Sequence, residues 1–123
     1  MTYLSSQEIL YMHSRIVNEL GGRQGIENTN TLKRAVSYIH NNDVFPDRFK
    51  KAGALFFAIA KKKPFSDLNI PTATTATIIF LQINKYDLNI EGIKEFIEDV
   101  LPDANVEDIA KWLQENSKPI KKN

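Results

Sequence analysis

Apolar residues recur at helical spacing along nearly the whole chain. Ile9, Leu10, Met12, Ile16, Val17 and Leu20 form the first such stripe. Ser5-Ser6-Gln7-Glu8 ahead of it fits a capping box, in which a Ser side chain takes a helix amide and the Glu reaches back. Gly21-Gly22 ends the stripe as C-cap glycines do, and Gly25 and Asn28 continue a turn-rich loop. Leu32, Ala35, Val36 and Ile39 predict a second helix from about Thr29 to His40, stopped at Asn41-Asn42-Asp43. Phe45-Pro46-Asp47 starts the third, with Pro in the first turn, where its missing amide costs nothing. The third helix (Phe49, Ala52, Gly53, Leu55, Phe56, Ile59, Ala60) is apolar on most sides and belongs at the centre of the fold.

Lys61-Lys62-Lys63 and Pro64 end that helix, and a loop runs from Pro64 to Ile70. Thr72 to Ile83 is rich in Thr, Ile and Ala; propensity alone allows a buried strand over Ala76 to Ile83. Length and the Pro-led start favour a helix, with Asn69 as cap and Pro71 in its first turn. Asn84 to Asn89 reads as a turn, followed by helices over about Glu91 to Val100 and Val106 to Asn116, the latter capped by Asn105. Residues 117–123 read as a polar basic tail, frayed at its end. The expected architecture is a single all-α domain, a compact bundle of about six helices over residues 1–116.

Composition narrows the chemistry. Of 123 residues, 42% are hydrophobic and 25% charged, which fits one globular domain rather than a disordered chain. There is no cysteine, so thiolate chemistry and disulfides are excluded. A net charge of +1 gives no global field toward nucleic acid, so no nucleic-acid partner is expected. The longest apolar run, Ala52 to Ala60, falls short of the ~20 residues a bilayer span needs, and the start carries no signal-peptide pattern. These readings point to a cytoplasmic protein without a membrane partner. His13 and His40 are the only histidines. With no neighbouring His or Cys, His13 reads as a partly buried helix residue rather than a metal ligand, and His40 as a contact at a helix C-terminus. The lysine run reads as a solvated helix end, and Trp112 with Ile109 and Leu113 as the anchor of the last helix.

The order of these segments resembles a known family. Leu4 to Leu10 through His13 and Gly21-Gly22 to Gly25-Ile26 resembles the opening of death-on-curing proteins. Lys51 to Ala60 resembles the helix leading into that family's active-site loop, and Phe80-Leu81-Gln82-Ile83-Asn84-Lys85-Tyr86 its next helix end. The family loop reads His-Pro-Phe-x-Asp-Gly-Asn-Lys-Arg-Thr-Ala; here the same places hold Lys63-Pro64-Phe65-Ser66-Asp67-Leu68-Asn69-Ile70-Pro71-Thr72-Ala73. The resemblance implies the helical death-on-curing/Fic (Fido) fold, whose members transfer AMP or phosphate from a nucleotide to a protein hydroxyl. It implies a toxin of a toxin–antitoxin pair, with an antitoxin-like protein whose short helix covers a groove as partner.

The departures fall on the parts that do this chemistry. Lys63 replaces the histidine base; an unperturbed lysine, pKa ~10.4, is free base in only about one molecule in 2,500 at neutral pH. Losing a general base costs about 10²- to 10⁴-fold. Leu68 replaces a glycine and costs on the order of 1–2 kcal/mol if the backbone there is left-handed. Ile70 and Pro71 replace a Lys-Arg pair, removing the phosphate-gripping guanidinium and one amide. Of the retained positions, Phe65 and Ala73 are expected to pack inward, Asn69 to cap the helix and Thr72 to start it. Asp67 reads as a loop Asp holding nearby amides, since one carboxylate is a weak Mg²⁺ site. The expected function is that of a catalytically degenerate relative, a pseudoenzyme that binds protein and needs no cofactor. The alternative is an active transferase using ATP and Mg²⁺.

Overall fold

A computed structural model describes residues 1–121. Helices α1 (Ser6–Leu20), α2 (Thr29–Tyr38), α3 (Arg48–Lys62) and α4 (Asn69–Ile83) come first. A short strand β1 (Tyr86–Leu88), one helical turn α5 (Ile93–Glu95), helix α6 (Val106–Glu115) and strand β2 (Ser117–Pro119) follow. The fold is an all-α bundle with a small two-stranded ribbon at one end. Among the described residues, no helix is long and apolar enough to cross a membrane.

Local chemistry sets most helix ends. The Ser5/Glu8 capping box opens α1, and Gly21, at φ 81°, closes it by donating its amide to Val17 O. Asn28 caps α2 through the Thr31 amide. α2 ends at Tyr38, two residues early, and the exposed His40 stacks on Tyr3 at 3.6 Å between ring centres rather than capping the helix. The cap of α3 is Asp47, which accepts from the Phe49 and Lys50 amides, so Pro46 lies outside the first turn. An Asn105/Asp108 capping box opens α6.

α3 occupies the centre and packs on α2, α4 and α6. Leu55, Phe56, Ile59, Phe80, Leu81 and Ile109 are buried in the core it shares with α4 and α6. Gly53 is where α3 meets α6 backbone to backbone: a Cβ there would lie 3.0 Å from both Ala110 N and Val106 O. Trp112 anchors α6 against Phe96, with ring centres 4.8 Å apart.

Several expectations fail toward the C-terminal end. Residues 84–89 and the C-terminal tail are not simply turn and frayed end, because β1 pairs antiparallel with β2, matching Asp87 with Lys118. Residues 117–119 are thus tied down, and the expected fraying at 122–123 lies outside the described residues. The helix expected over Glu91 to Val100 is broken into pieces. Gly92, at φ 84°, delays it, and Phe96–Val100 widens into a π-turn closed by Leu101 N–H onto Phe96 O. A 3₁₀ turn, Leu101–Asp103, follows with Pro102 inside it. The end left open is capped from α3: Lys61 Nζ donates to Leu101 O at 3.0 Å and Pro102 O at 2.8 Å. Lys61 is therefore a structural residue and not part of a solvated lysine run.

Candidate functional site

The segment joining α3 to α4 is built by two residues in left-handed backbone. Lys63 (φ 50°) terminates α3, and Leu68 (φ 56°) precedes α4. Left-handed backbone costs a leucine about 1–2 kcal/mol, so neighbouring contacts must hold the turn in place. They come from the α1–α2 loop. Pro64 O accepts the Glu27 and Asn28 amides at 2.8 and 3.0 Å, Phe65 bridges to Ile26, and Ser66 N–H donates to Gly25 O. Gly22 allows the close approach, since a Cβ there would fall 2.6 Å from a Leu68 methyl. The Leu68 side chain therefore rests on the α1–α2 loop.

Two of the loop's amides, and one from the α1–α2 loop, go to the side chains of Asp67 and Asn69. Asp67 Oδ2 accepts the Arg23 amide at 3.0 Å, and its Oδ1 accepts the Leu68 amide at 2.9 Å. Asn69 Oδ1 accepts the Phe65 amide, while its Nδ2 donates to Phe65 O. Asn69 is thus the first residue of α4 and a clasp on the loop, not the expected N-cap; Leu68 holds that position with no side-chain cap. Thr72 is buried, and its hydroxyl donates to Leu68 O at 2.8 Å. Pro71 has no amide, and Thr72 N–H closes on Leu68 O. Two amides, Asn69 and Ile70, remain at the start of α4 for any anion, and the Ile70 side chain packs against the core.

Phe65 and Ala73 are buried, as expected. His13 is buried as well; its ring stacks on Phe65 at 3.9 Å, and its Nε2 donates to Asp67 O at 2.9 Å. It supports the loop from beneath. Lys63 is exposed. Sequence reasoning missed Arg23, which donates from its guanidinium to Ser66 O at 2.9 Å and so brings one arginine to the rim of the loop. Its distance of more than forty residues in sequence from the loop left no local signal.

The Arg23 amide, followed by the Leu68 amide, holds the Asp67 carboxyl below its ordinary value of 3.8, with smaller help from the Arg23 and His13 charges. A depressed carboxyl stabilises the fold above its ordinary value, and this contribution is lost as the pH falls through the lowered one. An NMR titration should show the Asp67 side chain and the Arg23 and Leu68 amides moving together, with a midpoint below 3.8. Titration at the ordinary value would contradict this account of the loop.

Asp67 is committed to amides, and among the described residues no three His, Asp or Glu side chains gather into a metal-binding group. No family model matches the chain, and no curated protein matches it.

Proposed function

We propose that this protein is a death-on-curing/Fic-type helical domain without transferase chemistry, acting by binding a protein partner such as an antitoxin-like chain. The observation that carries the reading is that Asp67 and Asn69 draw amides of this turn onto themselves and leave those of Asn69 and Ile70 at the start of α4. Asp67 and Asn69 take the Arg23, Leu68 and Phe65 amides, where a phosphate-binding loop leaves its amides to the ligand. The succession of an Ala-rich central helix, a Pro-Phe-Ser-Asp loop and a second buried helix supports the kinship. The exposed Lys63 at the place of the base supports the loss of activity.

The rival reading, an ATP-dependent transferase acting on a protein hydroxyl, draws on Arg23, whose guanidinium lies against the loop. Incubation with α- or γ-labelled ATP, Mg²⁺ and a cell extract separates the two. The pseudoenzyme reading predicts no labelled protein above a boiled control. Strong labelling that disappears in Asp67→Ala and Arg23→Ala variants would establish the rival.

A further inference from the structure

A concavity lies on the face between α2 and α3, with a volume of about 420 Å³. It arises from small residues. Ala35 on α2, and Ala54 and Ala58 one turn apart on α3, leave a gap that larger side chains would close. Three aromatic rings, Tyr38, Phe45 and Phe57, contribute to its wall. Tyr38 meets Phe45 edge-on at 5.2 Å, yet remains 56% exposed, so an aromatic face stays open to solvent.

The charges lining this groove are of one sign. Arg34 and Lys62 line it, and no Asp or Glu does. The ion pairs among the described residues, Arg15–Glu19 and Lys50–Glu107, involve neither of them. An aromatic-walled gap of this size falls within the ~300–1,000 Å³ range of small-molecule sites. Its unpaired cations favour an anionic group, and a guanidinium fork matches a planar carboxylate. We propose that the groove is a binding site for a small aromatic carboxylate, its ring system among Tyr38, Phe45 and Phe57 and its carboxylate held by Arg34 and Lys62. This site is separate from the α3–α4 loop and does not depend on how that loop is read.

The test uses 2-naphthoate as probe, with 2-naphthylmethylammonium as its charge-reversed counterpart, followed by amide chemical shifts in the full chain. Naphthoate should shift resonances of α2, the start of α6 and the Ala54–Lys62 stretch of α3, and bind at least tenfold more tightly than the ammonium. Arg34→Gln combined with Lys62→Gln should weaken naphthoate about tenfold at low salt without changing the melting temperature. Ala58→Phe should abolish binding by filling the gap. Equal affinity for the two probes, shifts centred elsewhere, or no binding at millimolar naphthoate would each overturn the proposal; the surface double variant keeps the test decisive if Ala58→Phe does not fold.

Discussion

Replacing Gly53 with leucine should destabilise the protein by about 3 kcal/mol or more, the upper end of what overpacking usually costs. At Gly53, α3 touches α6 through backbone: the first side-chain carbon would already lie 3.0 Å from Ala110 N and Val106 O. Neither group can rotate aside, because both belong to the first turns of α6, held by the Asn105 capping box. The helices must therefore separate, loosening Leu55, Phe56 and Ile109 in the core behind them. Alanine is the informative control. Its methyl needs a shift of a few tenths of an ångström, and its gain in helix propensity, about 1 kcal/mol over glycine, opposes that cost. We expect Gly53→Ala to stay within about 1 kcal/mol of the native protein. Thermal and urea unfolding check both variants; a leucine variant as stable as the native chain would mean that α3 and α6 are not in backbone contact.

Lys51→Ala should cost a similar amount, about 3–4 kcal/mol, for a different reason. Lys51 is 1% exposed in the first turn of α3. Its ammonium donates to Ile39 O, just beyond the end of α2, and to Asn42 Oδ1 at 2.8 Å, and lies 5.6 Å from the Tyr3 ring centre. Burying a charge costs several kcal/mol, and hydrogen bonds to a charged group return about 1.5–3 kcal/mol each, so the two nearly offset. What decides the sign is the partner left behind. Without the ammonium, Ile39 O has no donor from α3, at about 1–3 kcal/mol, and alanine adds a cavity where the lysine stem packed. Lys51→Met fills most of that space and isolates the polar part, with an expected loss of about 1–2 kcal/mol. A methionine variant more stable than the native protein would show that burying the charge outweighs its hydrogen bonds.

These residues show what could and could not be read from the chain alone. The α1 and α6 caps and Gly21 as terminator depend on neighbours within a few positions, and the sequence pattern exposes them. Asp47 was masked by Pro46, which suits a first turn equally well but sits just before it. Gly92 was hidden inside an otherwise helical stretch. The β1–β2 ribbon joins segments about thirty residues apart through strands too short for any alternation to register. Lys61 read as part of a solvated helix end, and the buried role of Lys51 left no sign, because their carbonyl partners, Leu101 and Ile39, are brought near only by the fold.

The candidate site divides in the same way. The loop's departures at Lys63, Leu68, Ile70 and Pro71 were visible as residue identities, and the left-handed backbone at Leu68 is the conformation a glycine would have suited. The way in which Asp67 and Asn69 take up amides around the loop was only half legible. Asp67 was expected to hold amides, but one of them belongs to Arg23, forty-four residues earlier. The Asn69 clasp on Phe65 replaced the helix cap that its position suggested.

The most direct test of the account is calorimetric titration of ATP with Mg²⁺ into the native chain, beside the variant Lys63→His, Leu68→Gly, Ile70→Lys, Pro71→Arg. The account predicts no binding heat for the native protein at millimolar nucleotide and measurable binding once base, glycine and cationic pair are restored. Micromolar binding by the native chain, abolished by Asp67→Ala, would contradict it.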